Sequence, residues 1–549
     1  MEIIEYHPQR VLDAFRQGEF DQIEIIGEAD EKEFFELAFQ EKILFELADS
    51  MPTARKKEEV PRWFVLAANL SLKLHQENSY SAFERVVRCG GLLSALDPRV
   101  ASKHLDAQTK EILLQCQGFN DKNTYDRTTP CDQDFLRKFV KDVPAKNWRN
   151  WFNGPVQQTW QQYGFFDPQG IFIGDGSYLF VPDNPNYEGS VLMWFDEHNH
   201  PVKYDELSEE ERKKARRRRC YKLVSLLHLR GDCSVYAALA IVPGNDHESP
   251  VLYELVEKFV AAVGPGVMKL LILDRGFVDG KNISRCKKEW GIDVLMPLKR
   301  NLDIWTDAWA LSSQHPWQTS SVPPPPAPLR PPAGRPEHLQ KREAKRQRTL
   351  RHKKSQAPPP DPSKIQTKTE MCAIPGFTSW TDVSVPIHVL LMREHYGDGH
   401  TSEWGLMDTR PITDPSRPKR DYQRRTEIEE RHRLLKCFYD LCDFQSRSGN
   451  VIVAQVVFIL LSYTLRQWQI WKRHPQLLPG QTPGQIRRRL NLRREYVVIY
   501  HQQAYTQMPL VTFTREVLEL EGQARIKALA KIRQLEKSLL APIEKLRPP

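Results

Sequence analysis

Between Gly170 and Arg300 the sequence alternates in a way that leaves few folds open. GIFIGDGSYLFV, YKLVSLLHLR and SVYAALAIVPG are three strand-like runs, the last two joined by Gly231-Asp232. A helical run follows, SPVLYELVEKFVAAVG, then the apolar strand KLLILDRGF, the helix DGKNISRCKKEWG and the strand IDVLMPLKR. The first three strands can form an antiparallel meander, since a tight link reverses the chain. Each later strand is preceded by a helix, the kind of connection that parallel strands require. The order therefore predicts an α/β domain: a mixed sheet with helices packed on it.

Two carboxylates stand out in that sheet. Asp175 lies inside the first strand, where a charge is costly unless it is paired or binds a metal. Asp274 closes the apolar run LLILD just before Arg275-Gly276, and the carboxyl ends of strands line the functional crevice of open α/β sheets. Two such groups on neighbouring strands suit a hard divalent cation. Either Asp taken alone reads equally well as a strand-end turn residue. A charged helix over 421–442 changes the weighting, because Tyr422, Arg425, Glu429 and Lys436 fit Y-x2-R-x3-E-x6-K. Spacings of three, four and seven place all four on one helical face. A solvated helix laced with ion pairs would explain the charge, but not one carboxylate held between cations and a phenol.

The rest of the chain divides by composition. Residues 1–150 read as helical, with candidates at WFVLAANLSLKLH, SAFERVVRCGGLL and DQDFLRKFVKDV. Three short helices suit either a helix-turn-helix DNA module or a plain bundle. The sheet domain occupies 165–301 and resumes at 411–475. Between them, 302–410 reads as an insertion that is partly β, with a disordered proline-rich and basic segment at 321–365 containing VPPPPAPLRPPAGRP and KREAKRQRTLRHKK. Residues 476–549 read as helical, including a heptad-like helix at 514–538. With 79 Lys+Arg against 70 Asp+Glu the formal charge is +9, weak support for a polyanionic partner. The basic run RKKARRRR at 212–219 fits a solvated face or a DNA contact equally.

Other classes find no support. The nine cysteines form no CxxC pair, so neither a zinc site nor a disulfide framework is indicated. The apolar run Val451 to Leu465 is too short to span a bilayer and reads as a buried helix. The opening MEIIEYHPQR lacks the regions of a signal peptide. A soluble, cytoplasmic protein with no membrane partner is expected. Gly276 to Lys281 has the wrong spacing for a phosphate loop, and His198 and His200 read as exposed.

The Tyr-Arg-Glu-Lys signature, with IGDGSYLF and LILDRGF upstream, resembles the DDE transposases of bacterial insertion sequences, most closely the cut-and-paste group called insertion sequence family four. The resemblance spans roughly 165–300 and 383–470. It implies a ribonuclease-H-like catalytic domain with a large insertion, preceded by an all-α DNA-binding domain. It implies that Asp175, Asp274 and Glu429 are catalytic metal ligands, holding two Mg²⁺ or Mn²⁺ ions about 3.5–4 Å apart. Tyr422, Arg425 and Lys436 would contact DNA phosphates. Trp380 and Trp404 are candidates to stack a base flipped out of the duplex. The implied partners are double-stranded DNA, as element ends and target, and a second copy of the chain in a DNA-bound dimer, at the bacterial nucleoid. Asp-Gly-Ser at the first Asp, where the family more often has Asp-Gly-Thr, leaves the carboxylate untouched. A DNA-binding protein that no longer cuts, and another ribonuclease-H-like nuclease, are the alternatives.

Overall fold

The structure is a computed structural model and describes residues 5–28, 31–58, 60–83, 86, 92, 131–231, 233–321, 366–473, 494–502 and 504–544. The proline-rich and basic runs of 322–365, and most of the helix expected at 81–93, lie outside the described residues. In chain order the main elements begin with β1 (Glu5–Tyr6), β2 (Gln22–Glu28), α1 (Arg62–Leu74), α2 (Gln133–Asp142), β3 (Gly170–Val181), β4 (Val191–Phe195) and β5 (Pro201–Val202). There follow α3 (Glu209–Lys214), β6 (Arg216–Arg230), β7 (Cys233–Pro243), α4 (Glu248–Val263), β8 (Met268–Leu273), α5 (Gly280–Trp290), β9 (Asp293–Pro297), α6 (Asp303–Leu311) and β10 (Trp317–Ser321). The chain continues through β11 (Gln366–Phe377), β12 (Ile387–Tyr396), β13 (Thr401–Asp408), α7 (Ser416–Gln423), α8 (Thr426–Phe438) and α9 (Gly449–Arg473). It ends with β14 (Arg494–His501), β15 (Ala504–Pro509), α10 (Leu510–Glu519) and α11 (Gly522–Glu544). Two compact units divide these elements, Met1–Lys269 with Glu427–Pro549, and Leu270–Thr426.

In the first unit β3, β6 and β7 form the expected antiparallel meander, with β6 between the other two. The β6–β7 hairpin closes at Arg230 opposite Cys233, and Gly231 adopts φ +54°, the left-handed backbone that glycine takes without strain. Among the described residues β7 pairs only with β6, and side chains bond to its outer edge at Ala237 and Leu239. The Asn153 amide donates to the Leu239 carbonyl (2.7 Å) and accepts from the Leu239 amide (2.9 Å). Gln157 donates to the carbonyl of Ala237 at 2.7 Å, where a bulge interrupts the ladder. An edge covered in this way offers no template for a stray strand.

α9 packs behind that sheet. By length and composition it could cross a membrane, yet Val451 through Ile470 are all buried in the fold. Phe458 meets Trp148 with ring centroids 5.3 Å apart, and the Tyr463 hydroxyl shares a 2.7 Å hydrogen bond with Ser234 of β7.

The first unit also holds a second sheet, ordered β1-β15-β14-β2. Its core joins Phe15, Phe20 and Ile23 to Val497, Ile499 and Phe513. The helical opening stretch and the helical C-terminal region thus each contribute strands that the sequence reading did not place. The opening stretch is mostly helical, but QIEIIGE and REYVVIYH are strands that complete each other across more than 450 residues of sequence. The helix expected at 514–538 is also two helices, parted at Leu520, whose side chain is buried, and at Gly522 with φ +53°.

In the second unit β8 and β9 run parallel, joined by α5 as the crossover. β9 pairs antiparallel with β13, and β12, β11 and β10 continue outward as antiparallel neighbours. The sheet is mixed and the architecture is α/β, as the order of runs predicted. The 302–410 stretch supplies the β10–β13 strands and α6.

Candidate functional site

The predicted site residues fall into both units. Asp175, Glu429 and Lys436 belong to the first, and Asp274, Tyr422, Arg425, Trp380 and Trp404 to the second.

In the first unit Asp175 lies mid-strand in β3, directly opposite Ser225 of β6. Gly176 follows, and a side chain there would push aside the carboxylate end of Glu248, which pairs with Lys222 at 3.6 Å. The helix α8 lies across the sheet and touches its three strands in turn. Arg431 donates to the Ser234 hydroxyl of β7 at 3.0 Å. The His432 ring hydrogen-bonds Ser225 of β6 at 3.0 Å, and its other nitrogen stands 3.9 Å from the Asp175 carboxylate. Lys436 donates to the Ser177 hydroxyl of β3 at 2.9 Å. Glu429, His432 and Lys436 are spaced i, i+3 and i+7, so they share one face of α8, and Glu429 is exposed.

The electrostatics follow from burial. Desolvation, then the nearby charge of Lys436, pushes His432 down to about 3, so the ring is neutral at physiological pH. Burial likewise holds Lys436 below the usual lysine value, against the attraction of Cys442 and Asp175. The result is a carboxylate flanked by one ammonium and one neutral imidazole, with a second carboxylate a helical turn further along α8.

The four-residue stripe does not survive intact. α7 ends at Gln423 and α8 begins at Thr426, so Tyr422 and Arg425 do not share a helix with Glu429 and Lys436. The amides of Arg424 and Arg425 close i→i−3 bonds onto Asp421 and Tyr422, a tighter turn than the α-helix. The Thr426 hydroxyl donates to the Gln423 carbonyl at 3.0 Å, taking an acceptor that a continuing helix would use.

In the second unit Asp274 directly follows β8 and caps a short turn, its carboxylate accepting from the Arg275 amide at 2.8 Å. It lines an open cleft of about 880 Å³, together with Lys299, Arg300, Trp305, Trp404, Tyr422 and Arg425. Trp404 and Tyr422 stand 6.3 Å apart by ring centroid, Arg425 lies 6.0 Å from the Tyr422 ring, and Arg300 lies 5.6 Å from that of Trp305. Cations mixed with aromatic faces can hold phosphates and stack bases. Trp380 sits on the β11–β12 connection and does not line the cleft, so the structure separates the two candidate tryptophans. Trp305, Lys299 and Arg300 were missed from sequence; the only local signal was the basic LKRN that follows β9.

Among the described residues, no group of three or more His, Cys, Asp or Glu side chains is arranged to hold an ion, and the carboxylate of Asp175 has Lys436 and His432 for neighbours.

Three comparisons bear on this geometry. A family model described as the transposase DDE domain matches residues 188–465, a span that includes Asp274 and Glu429 and begins after Asp175. No curated protein matches the chain. Among solved structures the chain is similar to a piggyBac transposase synaptic complex with hairpin DNA, at 12% identity, with 84% of this chain and 78% of that one covered. The TM-score of that pair is 0.31, too low to establish a common fold by itself.

Proposed function

Because the chain belongs to the transposase DDE-domain family, we propose that it is a cut-and-paste DNA transposase that binds the terminal inverted repeats of its own element and catalyses strand cleavage and strand transfer. In this reading Asp175, Asp274 and Glu429 are the acidic residues of the reaction, and the relationship within the family is to insertion sequence family four. The family reading carries with it a requirement for a divalent cation, Mg²⁺ or Mn²⁺. A DNA-bound dimer follows from the need to hold two element ends together.

One observation carries the proposal. α8 lies across β7, β6 and β3, so the helix bearing the Glu and Lys of the signature is fastened to the strand bearing Asp175. Lys436 and Ser177 together offer an ammonium and a hydroxyl to a phosphate oxygen, the groups that position a DNA backbone. In the second unit, Lys299, Arg300 and Arg425 suit phosphates, and Trp305, Trp404 and Tyr422 suit an unpaired base.

The test is cleavage of duplex DNA carrying the element's own ends, in the presence of Mg²⁺. Native protein is expected to nick at the ends, and Asp175→Asn to abolish cutting while binding the ends within a few-fold of native affinity. Cutting by the variant would overturn the site. Binding without any cutting by the native chain would favour the DNA-binding alternative, and cutting with no preference for the ends would favour a general nuclease.

A further inference from the structure

The basic run at 212–219 is folded rather than loose. Lys214 ends α3, and Arg216, Arg217, Arg218 and Arg219 are the first four residues of β6. They pair with Phe195, Trp194, Met193 and Leu192 of β4, and only Arg219 also has a partner on β3. β4, β5 and the start of β6 thus form a ribbon that continues beyond the end of β3. Successive strand residues face opposite sides, so the four arginines put two cations on each face of the ribbon.

Among the described residues, Arg219 alone of the four has a carboxylate within 4 Å. Arg219 pairs with Asp183 at 3.3 Å. Arg218 lies 3.4 Å over the Phe180 ring and donates to the neutral Asn199 amide at 2.6 Å. Arg216 and Arg217 are exposed. Acidic residues share the connection between β4 and β6: Glu197 pairs with Lys214 at 3.4 Å, Glu211 closes a capping box with Ser208, Asp196 accepts from the His198 and His200 amides, and Glu209 and Glu210 open α3. Beside Arg217, its β4 partner Trp194 stacks on Tyr204 (4.3 Å), and Arg212 lies 5.3 Å from that Tyr ring. Strand propensity does not call for four adjacent arginines, since β-branched or aromatic residues fit better, and like charges so close repel unless an anion lies against them.

We propose that this ribbon is a binding surface for duplex DNA, with the exposed Arg216 and Arg217, one on each face, as its contacts to the phosphates that border a groove; the inference rests on the DNA-transposase reading above. A strand ribbon is an element that duplex DNA accommodates. β6 also fixes a spacing, because it runs from Arg217 to Ser225, opposite Asp175. Eight residues of strand at ~3.3 Å each span about 26 Å, or about eight phosphates of one strand at 3.4 Å spacing. The gripped phosphates lie about eight nucleotides from the position of Asp175.

The experiment measures affinity of the full chain for a duplex carrying the element ends, across a range of KCl concentrations. Each lost phosphate contact removes about 0.9 from the slope of log K against log salt, so Arg216→Gln with Arg217→Gln should lower the slope by about 1.8 and affinity roughly 60-fold at 0.1 M. Arg216→Lys with Arg217→Lys should recover most of both, which a merely structural role for the guanidinium groups would not allow. Phosphate-ethylation interference should lose its signal about eight nucleotides from the nick in the Gln variant alone. An unchanged slope in a Gln variant that binds and cuts like native protein overturns the ribbon and leaves the transposase reading standing. Failure of the native chain to bind duplex DNA overturns both.

Discussion

Lys436 of α8 donates a 2.9 Å hydrogen bond to the hydroxyl of Ser177, two residues beyond Asp175 on the same face of β3. The bond fastens a helix to a strand more than 250 residues earlier and brings a partly desolvated ammonium beside the first acidic position.

Replacing Lys436 by Met should keep the fold and impair cutting. An apolar side chain of similar length avoids leaving a buried charge, so thermal unfolding should shift little. Loss of an ammonium that would contact a DNA phosphate in the reacting complex, a charge-assisted hydrogen bond of about 1.5–3 kcal/mol, should slow single-turnover cleavage by about 10- to 150-fold, and Lys436→Arg should recover part of the rate. Native cleavage by the Met variant would reduce Lys436 to a structural prop.

A side chain at Gly176 would displace the Glu248 carboxylate from Lys222. Gly176→Ala should destabilise the protein by at most about 1 kcal/mol, the scale of a weakened part-exposed ion pair. In a Glu248→Ala background the same substitution should be close to neutral. A double-mutant cycle in urea measures the coupling, and additive effects would rule out the collision.

Lys73 of α1 is buried and donates to the Asn78 amide oxygen (2.7 Å) and to the Glu77 carbonyl (3.1 Å). Burial lowers its pKa from the ordinary 10.5 to about 7. Between those values the unfolded chain binds the proton more tightly, so stability rises with pH across that window, by at most about 1.4 kcal/mol per pH unit. Below about 7 the cost of a buried ammonium is present in full. Denaturant midpoints should therefore climb from pH 7 to pH 9.5 in native protein more than in Lys73→Met; equal climbs would contradict this account.

The cleft of the second unit distinguishes among tryptophans. Trp305→Ala and Trp404→Ala should each weaken binding of a duplex with a single-stranded overhang by about 5- to 150-fold, from a stacking term of about 1–3 kcal/mol. Trp380→Ala should not, since Trp380 does not line that cleft. The readout is fluorescence anisotropy of the labelled overhang, and equal losses at all three positions would sink the assignment.

Much of the frame was legible in the sequence because its signals are local. The run order gave the meander and the β8-α5-β9 crossover, Gly231 marked the hairpin, and LLILD announced a strand ending on Asp274. The signature helix was legible in composition but not in continuity. Its break depends on the Thr426 hydroxyl and two tight-turn amides, whose effect periodicity does not register.

By itself, then, the sequence determined which residues could do chemistry and which runs would be strands or helices, since backbone preference and side-chain period act over a few residues. Only the tertiary structure decided that His432 would meet Ser225, that Lys436 would meet Ser177, that Trp305 rather than Trp380 would join Trp404, and that REYVVIYH would complete QIEIIGE. Those choices join residues far apart in the chain, and the net burial and hydrogen bonding of the whole fold sets them, a quantity that no short stretch of sequence contains.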